Sequence, residues 1–351
     1  MTPTPSLAFA LAALTGAAAA AVAQPPAKPA AAADHVRLRL AHVYDENHPW
    51  HKAFERFRDV LQAKSNGTVE AQIFPGGKLG DEKACVSYLR QGVLDVTTVS
   101  ANGLEGVVPE ATFLDLLYLW RDRDHWQRAL DGPVGARLTE LIRKGTSKGG
   151  APPFEVLGYW GGSEVNMLGR KRGYETMADL ANVRLRIQDS PLQVELWKLL
   201  GASPVALPFD GIRSGVEEGV VEAVPLTNVT NLSRKFYEVT PHLTQMSLSI
   251  VARFFLMSGH TWAKLNADQR AAVVAAAREA TALARSIEAD QNDSAIATLE
   301  RFGVKVHPFK DRYNVREKLR PVQERYAEKL GLLDLLHAID EEWDKAPRGK
   351  K

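Results

Sequence analysis

The sequence is poor in cysteine, and this limits how the fold can be held together. Cys85 is the single cysteine among 351 residues, so no internal disulfide and no cysteine-rich zinc site can form. We interpret Cys85 as a buried, inert thiol. The fold must therefore depend on an apolar core, and a hydrophobic share of 45% is ordinary for a globular protein. The length predicts about two domains.

The sequence also lacks an excess of charge of either sign. The 44 basic and 42 acidic residues are interleaved and leave a formal net charge of +2 at neutral pH. Proteins that bind nucleic acid or acidic membranes generally carry a strong basic patch or stripe. We therefore expect no nucleic-acid partner.

Long apolar runs are absent after the N-terminus. Residues 6–23 are apolar and rich in alanine, and they end in Ala21-Val22-Ala23, the small-residue pattern of a signal-peptide cleavage site. No lysine or arginine precedes this run, although a signal peptide normally has one there. We predict a signal peptide over 1–23, a flexible tether over 24–35, and an exported, periplasmic protein. A misassigned start site, or an apolar segment that stays as an anchor, is the alternative that the missing basic residue leaves open.

From residue 36 the hydrophobic pattern switches between strand and helix periods. It predicts strand, helix, strand, helix, strand at 36–44, 50–64, 69–74, 82–91 and 93–100. This order is typical of a parallel sheet covered by helices, and ligands of such sheets bind at the carboxyl ends of the strands. We therefore expect a site near the loops at 44–49, 75–81 and 100–106.

A second alternating series starts near residue 154, and the apolar strand at 247–259 could return the chain to the first sheet. Asn266 and Gln269 then form a capping box at the start of a long helix that Gly303 ends. This helix either kinks at 290–293 or runs across both domains. The predicted organisation is a first lobe, a second lobe, a spanning helix and a C-terminal helical region at 36–158 with 247–265, 159–246, 266–302 and 303–351.

Two motifs suggest chemistry that their spacing does not support. The segment PGGKLGDEK at 75–83 lacks the spacing of a phosphate-binding loop. The segment 42–51 holds three histidines and two acids, but His42 lies in a strand and His51 in a helix, so convergence on one metal is not expected. No Ser-His-Asp, Cys-His or paired-carboxylate pattern stands out. We predict no metal, no cofactor and no catalytic residue.

The segment RLRIQDSPLQ at 184–193 is the most informative one. Alternation places Arg184 and Arg186 on one face of a short strand, and Ser190-Pro191 is typical of a helix start. A guanidinium holds a carboxylate through two parallel hydrogen bonds. Since this strand is the central candidate of the second lobe, we predict that Arg186 binds an anion.

At this point the sequence resembles the solute-binding proteins of tripartite ATP-independent periplasmic (TRAP) transporters, of the dicarboxylate-binding (DctP) type. The resemblance covers nearly all of the chain after the N-terminal segment. The order and spacing of several stretches carry it: HPWHKAFERF, FPGGKLGDEK, LRQGVLDVTTVS, LDGPVGARL, DLANVRLRIQDS, LLGASPVALPF, KFYEVTPHLT and TWAKLNADQRAAV.

The resemblance implies two α/β lobes joined by hinge strands and a long spanning helix. It also implies an organic acid as ligand, held at Arg186, and delivery of that acid to a TRAP permease. Arg184 takes a variable, solvated position. We predict ten ligand-binding residues, some from the resemblance and some because they lie near positions where the sequence departs from the family pattern. They are Arg186, Phe209, Asn47, His48, Asp81, Ser100, Asn102, Trp160, Asn166 and Asn228.

The sequence departs from the family pattern at two places. Leu226 or Thr227 stands near an expected asparagine, for which Asn228 could substitute, and a second arginine is missing near Asn166. We therefore expect an acid with a single carboxylate or an unusual body. Two other functions stay open: an enzyme whose base would be His48, and a scaffold or sensory module without a cleft ligand.

Overall fold

The computed structural model describes residues 35–144 and 154–345. The predicted signal peptide, the predicted tether except His35, and the last six residues of the predicted C-terminal region lie outside these ranges. The strands are β1 Val36–Ala41, β2 Val69–Phe74, β3 Val96–Ser100, β4 Phe154–Gly169, β5 Arg184–Ile187, β6 Ser203–Ala206, β7 Ala223–Thr227, β8 His242–Ser258 and β9 Lys305–Pro308. The helices are α1 Pro49–Lys64, α2 Glu82–Gln91, α3 Ala101–Leu104, α4 Arg123–Asp131, α5 Pro133–Lys144, α6 Pro191–Leu199, α7 Ile212–Glu217, α8 Asn228–Ser233, α9 Gly259–Lys264, α10 Ala267–Arg301, α11 Arg312–Lys329 and α12 Leu333–Lys345.

The strands form one mixed sheet in the order β2-β1-β3-β8-β4-β7-β5-β6, with β9 beside β8. In the first lobe β1 pairs in parallel with β2 and β3, which confirms the predicted β-α-β-α-β order. In the second lobe β5 lies between β7 and β6 and pairs in parallel with both. The carboxyl end of β5 therefore points toward the loop that precedes α6, where the sequence predicts the anion site.

Strands β4 and β8 join the two lobes. They are antiparallel over their whole length, from Phe154 opposite Ser258 to Gly169 opposite His242. The predicted lobe boundaries at 158/159 and 246/247 fall inside these two strands. The ladder bulges near Gly161, where φ is +123° and an added Cβ would lie 2.0 Å from the carbonyl oxygen of Val251. Only glycine fits there without strain.

Helix α10 is continuous from Ala267 to Arg301 and contacts α1 of the first lobe and α8 of the second, as expected for a helix that runs across both lobes. The predicted capping box is confirmed, because the Asn266 and Gln269 side chains each accept the backbone N–H of the other. Gly303 follows the helix with φ of +86°. The helix packs against α1 and β4 and, further along, against α8.

The C-terminal region is less uniformly helical than predicted. Residues 305–308 form β9, a strand parallel to β8 with Lys305 opposite His242. Four residues are too few to show a strand period beside long helical patterns. The rest of the predicted helical region holds two helices, α11 and α12, with Gly331 between them at a φ of +69°.

The lone cysteine lies in the apolar core. Cys85 is 2% exposed and belongs to the apolar cluster that covers the sheet, on helix α2, which packs against β3 and β8. Burial raises the pKa of its thiol to about 11, so the thiolate is scarce at neutral pH. This confirms the interpretation of Cys85 as a buried, unreactive thiol.

Candidate functional site

Arg186 is a buried cation without an anionic partner. Arg186 is 6% exposed, and its Nε donates a hydrogen bond to the carbonyl oxygen of Leu207 at 3.1 Å. Among the described residues it forms no ion pair. Burial lowers the pKa of Arg186 to about 10, so the side chain is still charged at neutral pH. A buried, charged and unpaired guanidinium is costly, and an anion would remove that cost.

Arg184 lies on the same strand as Arg186 but has a carboxylate partner. It is exposed and forms an ion pair of 3.2 Å with Glu222. Ser190 caps α6 as predicted, because its hydroxyl accepts the N–H of Gln193 at 3.4 Å and Pro191 occupies the first turn. The strand end that carries Arg186 therefore leads into a helix N-terminus.

The facing wall in the first lobe is built from the ends of strands β1 and β3. Glu82 opens α2, and its Oε2 accepts the hydroxyl of Ser100 at 2.6 Å and the N–H of Ser100 at 3.0 Å. The other carboxylate oxygen forms an ion pair with Arg253 of β8, which is 7% exposed. The Arg253 guanidinium lies 4.8 Å from the ring centre of Trp50 and 5.2 Å from that of Tyr44.

His48 belongs to the same wall. Its Nδ1 accepts the N–H of Trp50 at 3.3 Å and caps α1, and its ring stacks on Tyr44 at 4.4 Å. Burial lowers the pKa of His48 to about 3, with further lowering by the charges of Arg253, His42 and Arg234. The imidazole is therefore neutral and a weak base. Asn47 is exposed in the same loop.

Asn102 and Asp81 have different positions in the structure. The Asn102 side chain donates from Nδ2 to the carbonyl oxygen of Asp189 at 3.4 Å, and so joins the first lobe to the second. Asp81 is exposed and caps α2 by accepting the N–H of Ala84 at 2.8 Å. The carboxylate that meets Arg253 is that of its neighbour Glu82, and ligand binding by Asp81 stays a prediction.

Trp160 also requires a correction. Its side chain is fully buried, stacks on Phe255 at 4.3 Å, and donates to the hydroxyl of Thr281 in α10 at 3.0 Å. The ring is therefore part of the core below the hinge and does not line a ligand site. Its strand pattern had indicated an aromatic side chain but not which face of β4 carries it.

Asn166 and Asn228, which the sequence analysis names at two separate departures from the family pattern, lie together. Asn166 Nδ2 donates to Asn228 Oδ1 at 3.3 Å, and the N–H of Ser247 donates to Asn166 Oδ1 at 3.0 Å. Both asparagines are almost completely buried. The Nδ2 group of Asn228 has no partner among the described residues, so it is a donor still to be satisfied.

Phe209 lies at the second-lobe side and is 38% exposed. It begins the short turn Phe209–Gly211 after β6, and the guanidinium of Arg234 lies 5.4 Å from its ring centre. An exposed aromatic ring beside a polar wall is suited to contact the apolar face of a small molecule.

Tyr44, Glu82, Arg234 and Arg253 were not predicted from the sequence. Arg253 carried a signal similar to that of Arg186, a cation inside an apolar strand. Glu82 was one residue away from the predicted acid. His42 and His51, which could have suggested a metal, hydrogen-bond each other at 3.0 Å. Within residues 35–144 and 154–345 no group of three or more His, Cys, Asp or Glu side chains is arranged to hold a metal ion.

These features fit a two-lobed α/β binding protein, with hinge strands between the lobes and an unpaired buried arginine near the carboxyl end of β5. Residues 40–330 match the DctP family model, described as "Bacterial extracellular solute-binding protein, family 7". The chain belongs to this family, which includes TRAP periplasmic solute-binding proteins. In the part of the chain that the structure describes, no helix combines the length and apolar character needed to cross a membrane.

Curated relatives match over most of their length. A solute-binding protein of Sulfitobacter sp. is 32% identical, and the match covers 86% of this chain and 90% of that protein. The 2,3-diketo-L-gulonate-binding periplasmic protein of Escherichia coli is 27% identical, with 87% and 91% covered.

Solved structures agree with the fold. A TRAP periplasmic solute-binding protein from Sulfitobacter sp. with bound α-D-taluronate is 30% identical, has a TM-score of 0.79, and covers 87% of this chain and 97% of its own. The sugar acid binding protein of Advenella mimigardefordensis in complex with galactonate is 25% identical, also has a TM-score of 0.79, and covers 88% and 99%.

Proposed function

We propose that the ligand of this receptor is a sugar acid, held by its carboxylate at Arg186 in the cleft between the lobes. The main support for this proposal is the charged, buried guanidinium of Arg186, which no carboxylate in the described residues neutralises. The polar first-lobe wall of His48, Glu82 and Ser100 is suited to the hydroxyl groups of such a ligand. The relatives named above that bind diketogulonate, taluronate and galactonate support this ligand class.

The physical role of the ligand is to favour closure of the lobes. Closing without it would leave the charge of Arg186 buried and unpaired, which costs several kcal/mol. A carboxylate removes this penalty, so it shifts the open–closed equilibrium toward the closed form. A charged hydrogen bond contributes about 1.5–3 kcal/mol, whereas micromolar affinity needs about 8 kcal/mol. Phe209 and the first-lobe wall must therefore contribute burial and further hydrogen bonds.

The remaining parts of the transport role follow from this receptor model. We propose that residues 1–23 direct export to the periplasm, and that the closed form delivers its ligand to a TRAP permease. We also propose that the protein performs no catalysis. A general base works best with a pKa near the working pH, whereas the pKa of His48 is about 3.

The test is thermal unfolding of the protein with galactonate, D-glucuronate and a C4-dicarboxylate, using wild type, Arg186→Ala and Arg184→Ala. Arg184 is the matched control, since it lies on the same strand but is exposed and paired with Glu222. A ligand at about 100 times its Kd stabilises the folded state by about 2.7 kcal/mol. We expect a sugar acid to raise the midpoint of wild type and Arg184→Ala but not of Arg186→Ala.

Four other results would contradict parts of the proposal. Equal stabilisation of all three proteins would show that Arg186 does not hold the acid. Stabilisation by the C4-dicarboxylate alone would show that the ligand is a dicarboxylate and not a sugar acid. No response to any acid would favour the scaffold function, and chemical conversion of a bound acid, followed by NMR, would favour the enzyme.

A further inference from the structure

Two histidines face each other where strand β9 pairs with the start of β8. Nδ1 of His242 and Nε2 of His307 lie 3.0 Å apart, and the ring centres lie 5.2 Å apart. His242 is opposite Lys305 in the parallel ladder, and His307 is opposite Thr244. Since residues two apart in a strand share a face, both imidazoles project from the same face of the sheet. Both are half-buried, so solvent reaches the pair.

The ring of His307 is held in place from its other side. Its Nδ1 lies 3.4 Å from Oε1 of Glu175, and Oε2 of Glu175 accepts a hydrogen bond from Nζ of Lys310 at 2.7 Å. The backbone N–H of Lys310 donates to the carbonyl oxygen of Glu175 at 2.8 Å. Gly173 lies against the same ring, because a Cβ added there would come within 2.4 Å of Cγ of His307. The backbone of residues 173–175 therefore fixes the position of this ring.

This geometry suits a histidine that binds a metal ion with support from a carboxylate. A carboxylate that accepts the N–H of one ring nitrogen leaves the lone pair of the other nitrogen available for a metal. Glu175 favours the proton on Nδ1 of His307, so Nε2 presents its lone pair toward His242. Two nitrogens bound tetrahedrally at about 2.0–2.1 Å from one ion are about 3.3 Å apart. This separation is only slightly larger than that of the two histidines, so a small ring rotation would admit an ion.

We propose that His242 and His307 bind a late first-row divalent transition metal, Cu²⁺ or Zn²⁺. The two imidazole nitrogens are the protein ligands, water molecules complete the coordination, and Glu175 is a positioning residue. His242 carries its proton on Nε2 when its Nδ1 binds the ion. The sequence predicted no metal, because it was searched for ligands close together along the chain, whereas these two histidines come from strands 65 residues apart.

The charges around the pair limit the affinity. Lys305 lies opposite His242, and Lys310 lies beside Glu175, so two positive charges repel a cation and Glu175 offsets one of them. Binding therefore depends on the coordinate bonds to imidazole, which suits Cu²⁺ and Zn²⁺. Two protein ligands are also fewer than the three or four of an ordinary zinc site. We expect a Kd in the micromolar range, with Cu²⁺ bound more tightly than Zn²⁺.

The pair is separate from the proposed ligand cleft. Strands β4 and β7 lie between β8 and β5 in the sheet, so β8 and the strand of Arg186 are about 14 Å apart. A bound ion would link β9 to β8 and so attach the chain that follows α10 to a hinge strand. We expect it to raise the thermal midpoint and to leave the affinity for sugar acids unchanged. This inference therefore does not depend on the proposed function.

A second histidine pair provides a matched control. Nε2 of His42 and Nδ1 of His51 also lie 3.0 Å apart, but Nδ1 of His42 accepts the N–H of Tyr44 at 3.2 Å. The proton of a neutral His42 is therefore on Nε2, which has no lone pair for a metal. His42 is also 1% exposed, which leaves no room for coordinated water. We expect His51→Gln to leave metal binding unchanged.

The experiment is calorimetric titration of the untagged protein with CuCl₂ and with ZnCl₂, together with EPR of the Cu²⁺ form to count the coordinated nitrogens. The variants are His242→Gln, His307→Gln, Glu175→Gln and the control His51→Gln. We expect two imidazoles in wild type and in His51→Gln, and one in each of His242→Gln and His307→Gln, with at least about 10-fold weaker binding. Glu175→Gln should keep both imidazoles and weaken binding about 10-fold, as loss of a supporting carboxylate does.

Other results would overturn the inference. Fewer than two imidazoles on Cu²⁺ in wild type, or binding unchanged by His242→Gln and His307→Gln, would show that the pair is only a hydrogen bond between strands. Weakening by His51→Gln to the same extent would show metal bound elsewhere or dispersed over the surface. The EPR count in wild type needs no variant, so it decides the question even if a substitution prevents folding. In none of these cases would the sugar-acid receptor be affected.

Discussion

Substitution of Glu82 by glutamine tests whether the first-lobe wall depends on a buried ion pair. Glu82 pairs with Arg253, which is 7% exposed, so Glu82→Gln leaves a positive charge buried without its carboxylate. Breaking such a pair costs about 3–5 kcal/mol. Arg253 keeps its contacts with the rings of Trp50 at 4.8 Å and Tyr44 at 5.2 Å, which partly compensate the charge. We therefore expect a loss near the lower end, about 3 kcal/mol.

The assay is urea unfolding, with the free energy of unfolding taken from the midpoint and slope. Glu70→Gln is the matched control, because Glu70 pairs with Arg37 at 3.1 Å on an exposed surface. Such a pair contributes about 1 kcal/mol or less. The double variant Glu82→Gln/Arg253→Met removes both charges, and we expect it to be more stable than Glu82→Gln. A loss below about 1 kcal/mol for Glu82→Gln, or a double variant that is less stable still, would refute the reasoning.

The same pair predicts how stability depends on pH. Burial alone would raise the pKa of Glu82, but Arg253 and the hydrogen bonds from Ser100 outweigh it and hold the pKa below its usual value. The folded carboxyl group therefore binds its proton less readily than the unfolded one, whose pKa is about 4.3. The stabilisation is complete above that pH and is lost as the pH falls through the folded pKa. Glu82→Gln should show a smaller loss of stability on acidification.

Three further substitutions or titrations test the fold. Gly161→Ala should cost about 2 kcal/mol or more in urea unfolding, because its Cβ would lie 2.0 Å from Val251 O, whereas Gly106→Ala has nothing within 4 Å and should cost little. Asn266→Ala removes the cap of α10 and should cost about 1 kcal/mol in the same assay; no change would show that the cap is dispensable. Burial lowers the pKa of His42 to about 3, so its ring proton resonances should not titrate between about pH 5 and 8. Because unfolded histidine binds a proton near pH 6.5, this group should reduce stability as the pH falls below that value, and a midpoint near 6.5 in the folded protein would contradict it.

The regular elements of the fold follow from local patterns. The helix of residues 82–91 has its apolar positions at helical spacing, and Asn266 with Gln269 announces the start of α10. Strand β9 could not be predicted, because it has four residues and is formed by its pairing with β8. The continuity of β4 through Gly161 was equally hidden, since two positive-φ glycines interrupt the sequence pattern there.

The candidate site was predictable where a residue departs from its surroundings. The sequence pattern led to the prediction at Arg186, and Arg253 in β8 carried a similar signal that led to none. Trp160 was assigned to the site from the resemblance, and alternation along β4 does not tell which face the core covers. Asp81 and Glu82 differ by one position at the start of α2, and only the structure shows which carboxylate caps the helix and which meets Arg253.

Helix α10 has two very different ends, and this has a mechanical consequence. Along α1 it buries alanines such as Ala276 and Ala280, whose short side chains permit close, interlocked packing. Where it meets α8, both amide atoms of Asn231 and the Oδ1 atom of Asn292 are buried without a partner within the described residues. Helix α10 is about 50 Å long, and it is packed tightly against the first lobe and loosely against the second. We expect the second lobe to rotate about its contact with α10. This rotation would exchange amide hydrogen bonds and would not require repacking of a hydrophobic core.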